Sequence, residues 1–143
     1  MVDIIERDKD FSNTIFNWLN NDKDFLNYLG LNELGIDKII DWWNTSKIFE
    51  IRNGQPIGFF KLDLGSFYGV FHTYLIPTAR CKGLLSNKIL IKFLKFCFKE
   101  LHLKNVYTLL KDKKEKISIF RFENRIVNNY YVYSVDKERI LCL

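Results

Sequence analysis

The spacing of apolar positions changes character several times along the chain, and each change marks an element. Residues 2–6 read as a short first strand. Over residues 8–19, Phe11, Ile15, Trp18 and Leu19 recur at helical spacing, and Asn20-Asn21-Asp22 ends the run. A second helical region spans residues 24–43 with interruptions near Gly30 and Gly35. Asp37 is the expected N-cap of its last part, and Ile39, Ile40, Trp42 and Trp43 supply its apolar surface. From Lys47 the period falls to two. Residues 47–52 and 56–64 flank Asn53-Gly54, a strong short hairpin signal, and residues 67–76 follow after Gly65-Ser66, so the three runs predict an antiparallel meander. Residues 84–101 predict a long helix. Lys88, Lys92, Lys95 and Lys99 form one stripe on it, opposite Ile89, Leu90, Phe93, Phe96, Cys97 and Leu101. Residues 105–110 then read as a strand, and a strand–helix–strand order predicts a parallel pair. The pattern predicts a short helix over 117–124 and a closing hairpin of residues 126–135 and 139–143 around Asp136-Lys137.

Composition supports a folded chain. Of the 143 residues, 48% are hydrophobic and 27% charged, enough for one domain spanning 1–143 with a substantial core. Thirteen Phe, seven Tyr and three Trp fill that core and leave room for one aromatic-lined cleft. The formal charge of +5 suits an anionic ligand without identifying it. The lysine stripe carries no interleaved Arg or aromatic side chain, so it reads as a solvated helix face and not as a nucleic-acid surface. Cys81, Cys97 and Cys142 are odd in number and lack metal-ligand spacing, so no disulfide framework and no metal site is expected. No apolar run reaches the length of a membrane span and no signal sequence opens the chain, which places the expected protein in the cytoplasm and off the membrane.

One stretch carries more chemistry than the rest. Pro77-Thr78-Ala79-Arg80-Cys81-Lys82-Gly83-Leu84-Leu85-Ser86 joins a strand to the long helix through a short basic loop. The first amides of a helix lack partners within it, and the helix dipole adds partial positive charge there. Arg80 and Lys82 bring full charges, and Gly83 lets a ligand approach the main chain. The loop therefore reads as an anion cradle.

Taken with the order of elements around it, this loop resembles that of the GCN5-related N-acetyltransferases. The family pattern is Gln or Arg, two residues, Gly, one residue, then Gly or Ala. Arg80 and Gly83 match it, and Leu85 departs from it. Ile57-Gly58 resembles the family's third strand, and Ser118-Ile119-Phe120-Arg121-Phe122-Glu123-Asn124 resembles its fourth helix. The fold the resemblance implies is an α+β, three-layer one. A mixed, mostly antiparallel central sheet of about six to seven strands is flanked by helices. It also implies acetyl-CoA as cofactor. The main chain of Cys81, Lys82, Gly83, Leu84, Leu85 and Ser86 would hold the pyrophosphate with Arg80. The strand around Tyr74, Leu75 and Ile76 would line the pantetheine arm and offer an amide to the thioester oxygen.

The implied activity is transfer of acetyl to the primary amine of a small molecule or amino sugar, or to a protein N-terminus. Two branches of the family fit the pattern, one acting on ribosomal protein N-termini and one on nucleotide-linked deoxysugars. The tyrosine that often protonates the thiolate on the fourth helix is replaced by Phe120 or Phe122, so either the thiolate leaves directly or another tyrosine takes the role, with Tyr131 nominated from Tyr130, Tyr131 and Tyr133. A catalytically inactive module that binds RNA or a protein partner is the alternative. His72 is the candidate base, since imidazole ordinarily titrates near neutrality. Asp63 and Glu50 are alternative bases, and a structural His72 is the competing reading. His102 closes the long helix and reads as structural. Trp42-Trp43 read as core or as a wall of the acceptor side. Relatives of this kind are commonly homodimers.

Overall fold

The computed structural model describes residues 2–81, 87–113 and 119–143. Its strands are β1 (Asp3–Arg7), β2 (Ser46–Asn53), β3 (Gln55–Leu64), β4 (Tyr68–Leu75), β5 (Asn105–Leu110), β6 (Phe120–Val127) and β7 (Tyr130–Val135). Its helices are α1 (Ser12–Asn20), α2 (Lys23–Leu29), α3 (Ile36–Asp41), α4 (Pro77–Cys81), α5 (Asn87–Lys99) and α6 (Lys137–Cys142). The strands form one seven-stranded sheet in the order β1-β2-β3-β4-β5-β7-β6. β4 and β5 are parallel. The β1–β2, β5–β7 and β6–β7 pairs are antiparallel. The expected sheet and its crossover to a parallel neighbour are therefore present.

Compact packing divides the chain into two units, Met1–Lys61 with Thr73–Leu84 and Leu62–His72 with Leu85–Leu143, and β3 and β4 run through both. In the first unit, Phe11, Ile15, Leu19, Leu26, Leu34, Ile39, Ile48, Phe59 and Tyr74 form a buried cluster that Trp18, Phe25, Trp42 and Trp43 close over. The helices stop where the sequence lets them. Gly30 takes a left-handed conformation (φ 73°) after α2, and Gly54 does so (φ 75°) between β2 and β3. The N-cap of α3 is Gly35, and Asp37 is the second residue of the helix, within its first turn. The expected Asp37 cap is thus displaced, because a carboxylate anywhere in the first turn still meets the positive end of the dipole.

In the second unit, α5 buries Ile89, Phe93, Leu94, Cys97 and Phe98. Phe71 of β4 packs on Phe93 (centroids 6.0 Å) and on Phe120 (6.1 Å). Lys88, Lys92 and Lys99 are exposed and Lys95 is half-buried, as a solvated face requires. Burial pushes the Cys97 thiol up to about 12, so it stays protonated and unreactive at neutral pH. His102 sits at φ 55°, just beyond α5, where the Leu103 amide returns to the Cys97 carbonyl (3.2 Å). It ends the helix, as expected.

The C-terminal region corrects two expectations. Residues 120–127 are the strand β6, not a helix, and Phe120 and Phe122 alternate with exposed Arg121 and Glu123 at period two. A turn at Asn128 (φ 49°) and Asn129 (φ 67°) joins β6 to β7. Positive φ at both central positions is the twist a two-residue hairpin needs, and Asn tolerates it. Residues 137–142 are the helix α6, not a strand. Asp136 caps it by accepting from the Arg139 amide (3.2 Å), and Ile140 is fully buried.

The β3–β4 hairpin sets up the candidate site. The Gly65 amide donates to the Tyr68 carbonyl at the turn (2.9 Å), and the Ile76 amide donates to the Ile57 carbonyl at the far end (2.9 Å). Equal steps along the two strands carry Gly65 and Tyr68 onto Ile57 and Ile76, so the two ends of the hairpin share one antiparallel register. At its far end the strands come unusually close. A Cβ on Gly58 would lie 2.1 Å from the Tyr74 carbonyl oxygen and 3.0 Å from the Leu75 Cα. Main chain cannot yield as a flexible side chain can. Gly58→Ala is expected to lower stability by roughly 1–3 kcal/mol, as overpacking does, measured as a reduced urea midpoint with an unchanged slope.

Candidate active site

Antiparallel register decides which main-chain groups of β4 are available. In such a pair, residues alternate between facing the partner strand and facing away. The Ile76 amide is taken by Ile57, so Ile76 and Tyr74 turn their main chain toward β3. Of the three residues expected to line the pantetheine arm, Ile76 thus has its amide engaged by β3. Leu75 falls between them and presents its N–H and C=O to the opposite edge. Phe71, in the same phase, has its carbonyl on that edge, where it accepts from the Thr108 hydroxyl (3.2 Å). The ladder from β4 to β5 pairs Tyr68 with Asn105, Gly69 with Val106 and Val70 with Tyr107. Beyond it a side chain, Thr108, serves the β4 main chain.

A cluster that the sequence did not announce lies in the first unit. Asp22, at the N-cap of α2, is buried (side chain 4% exposed). Its Oδ1 accepts from the Phe25 amide (3.2 Å), and its Oδ2 accepts from the Tyr74 hydroxyl (2.8 Å) and from Arg80 Nη2. The Arg80 guanidinium also lies over the Tyr74 ring, 5.6 Å from its centroid. Burial raises the Tyr74 pKa above the usual phenol range, and the bond to Asp22 raises it further, so Tyr74 remains a donor at neutral pH. Arg80 was expected to face a pyrophosphate. Arg80 also pairs with Asp22, and a buried carboxylate left without that partner would cost several kcal/mol, on the order of 3–5. The Arg80 side chain is 42% exposed, and a guanidinium has five N–H groups, more than the bond to Asp22 uses.

α4 turns the chain away from β4. The Ile76 carbonyl accepts from both the Ala79 and Arg80 amides (3.0 and 3.1 Å). Cys81 ends this helix. Lys82, Gly83, Leu84, Leu85 and Ser86, the rest of the expected cradle, lie outside the described residues, as does Ser118. On the hairpin side of α4, a cavity of about 530 Å³ is lined by Asn53, Gln55, Pro56, Ile57, Ile76 and Thr78, among others.

The expected bases resolve differently. In the second unit, His72 Nε2 is 2.9 Å from Asp63 Oδ2, and the two side chains are 41% and 37% exposed. A carboxylate only accepts, so in the neutral imidazole the shared hydrogen resides on Nε2 and Nδ1 keeps its lone pair. Asp63 is thus the hydrogen-bond partner of the candidate base. Glu50 is fully buried and held by Arg7 and by Arg52 (3.1 Å), so it serves the fold. Trp42 packs on Phe59 (6.1 Å), and Trp43 donates its indole N–H to the Arg7 carbonyl (2.9 Å), so both help to hold the first unit together. Tyr131 is half-buried on β7, opposite Leu110, with its ring against Phe122 (5.9 Å). The helix on which the resemblance placed Phe120 and Phe122 is replaced by β6, so neither stands in for a helical tyrosine.

No protein-family model and no curated protein matches the chain. Several solved structures do. A spermidine N-acetyltransferase from Vibrio cholerae, in complex with CoA and spermine, has a TM-score of 0.74 at 14% identity, covering 98% of this chain and 98% of its own. The aminoglycoside acetyltransferase AAC(6')-Ib, in complex with coenzyme A, has 0.74 at 12%, covering 99% and 97%. An acetyltransferase from Thermus thermophilus has 0.71 at 11%, covering 94% and 96%. Over nearly its full length, the chain has the fold of the GCN5-related N-acetyltransferases.

Proposed function

We propose that the protein is an N-acetyltransferase that moves acetyl from acetyl-CoA to the primary amine of a small molecule or amino sugar by direct attack. The observation that carries this reading is the phase of β4, which turns the Leu75 main chain away from β3. The neighbours in fold support the donor, being solved with CoA, and the acceptor class, since their names specify spermidine and aminoglycosides. Bound acetyl-CoA would supply an activated thioester. The residues suited to hold it are Leu75, through its main chain, and Arg80, through guanidinium N–H groups that the bond to Asp22 does not use.

The Leu75 amide would be suited to donate a hydrogen bond to the thioester oxygen of bound acetyl-CoA, where charge would build up on attack by the amine. His72 Nδ1 accepts the proton that the attacking amine must lose, while Asp63 holds the ring by Nε2 and stabilises the imidazolium formed. These roles divide the work between main-chain polarisation and side-chain proton transfer, and neither needs a covalent enzyme intermediate.

Acetyl-CoA at 100 times its Kd is expected to stabilise the fold by about 2.7 kcal/mol, seen as a rise of several degrees in Tm. Thiol release should then follow with a panel of polyamines and amino sugars. Absence of stabilisation at millimolar cofactor would overturn the reading. Stabilisation with no release from any amine would favour the binding module instead.

His72→Ala is expected to lower kcat by roughly 100-fold near neutral pH. The deficit should shrink as pH rises toward the acceptor's own pKa, where more of the amine is already neutral. An unchanged rate and pH profile would remove His72 from the mechanism.

A further inference from the structure

We infer that Asp22 is a positioning residue for the cofactor, holding the corner between β4 and α4 through Tyr74 and Arg80. The inference rests on the reading of the protein as an acetyl-CoA-dependent enzyme and deepens it. Capping α2 needs only one acceptor, and Oδ1 supplies it to the Phe25 amide. Oδ2 does something that capping does not explain. It accepts from Tyr74, on β4, and from Arg80, in α4, residues 52 and 58 positions away in the chain.

Those two partners bracket the corner. Between them lie Leu75, whose main chain faces the proposed cofactor edge, and Ile76, whose carbonyl starts α4 by accepting from Ala79 and Arg80. One carboxylate oxygen therefore fixes both ends of the segment that would polarise the thioester and meet the pyrophosphate. The setting makes this hold stiff. The Tyr74 ring packs against Phe25 (5.0 Å), Phe59 (5.5 Å) and Trp18 (6.4 Å), which keeps water from the carboxylate and strengthens its charged hydrogen bonds. Asp22 touches no reacting atom in this account. It acts by keeping Leu75 and Arg80 where a ligand can use them.

Asp22→Asn separates the two duties of the residue. Asparagine keeps an oxygen for the Phe25 amide and caps helices well. At the other position it offers an amide nitrogen, which cannot accept from Tyr74 or Arg80. Calorimetry on the full chain should show the Kd for acetyl-CoA raised about 10-fold, the scale expected when a binding geometry loosens. At saturating acetyl-CoA, kcat should fall as well, because the loosened segment includes the Leu75 amide that would polarise the thioester. Adding Asp22→Asn to Arg80→Gln should weaken binding less than the two separate effects multiplied, because Asp22 acts partly through Arg80. Tyr74→Phe removes one hydroxyl and should also raise Kd, which keeps the inference testable if Asp22→Asn fails to fold. A wild-type Kd in folded Asp22→Asn, or in Tyr74→Phe should Asp22→Asn not fold, even with a lowered Tm, would reduce Asp22 to a structural residue and overturn the inference while leaving the proposed activity intact. Failure of the wild-type protein to bind acetyl-CoA would instead overturn the proposed activity, and this inference with it.

Discussion

The approach of β3 to β4 at Gly58 governs what the rest of the molecule can do. With no side chain at that position, the two strands close to a distance at which a Cβ would collide with the Tyr74 carbonyl. The Gly65–Tyr68 turn and the far end at Ile57 and Ile76 share one register. Strand geometry then leaves little choice. Tyr74 and Ile76 spend their main chain on β3, and Leu75 spends none of its own there. A single glycine and a hairpin register thus select the main-chain group that could face a ligand, before any side-chain chemistry is considered.

Two buried carboxylates show how differently the same residue type can be used. Glu50 lies on β2 opposite Ile5 and is clamped by Arg7 and Arg52, so its charge is compensated within neighbouring strands. Asp22 is compensated from far along the chain, by Tyr74 and Arg80. Both are expensive to bury and both are paired, as burial demands. Only the second ties a helix start to the corner between β4 and α4. The His72–Asp63 pair differs again, because both side chains remain open to solvent and the imidazole keeps a nitrogen free of Asp63.

Much of this was legible in the sequence where local signals were strong. The Asn53-Gly54 turn, the breaks at Gly30 and Gly35, the period-two meander and the amphipathic α5 all follow from residue type and spacing. The C-terminal third was harder. Phe120 and Phe122 are compatible with either period over so short a run, and the resemblance to a family helix favoured the wrong one. The Asn128-Asn129 pair was the signal for the true hairpin, and Asp136 before residues 137–142 was the signal for α6. Asp22 was visible only as a helix breaker. Its tie to Tyr74 and Arg80 depends on contacts more than 50 positions apart, which no local pattern encodes. Pairing Asp63 with His72 could have been read from their places on adjacent strands, once the hairpin register was drawn.

The central claim is that the β4–α4 corner is the cofactor edge of this fold, and amide hydrogen exchange with and without acetyl-CoA tests it most directly. Saturating acetyl-CoA should slow exchange in peptides covering residues 73–81, with the Leu75 amide among those protected, and should leave β1 and β2 unchanged. Identical exchange across residues 73–81 in the presence and absence of acetyl-CoA would contradict the account.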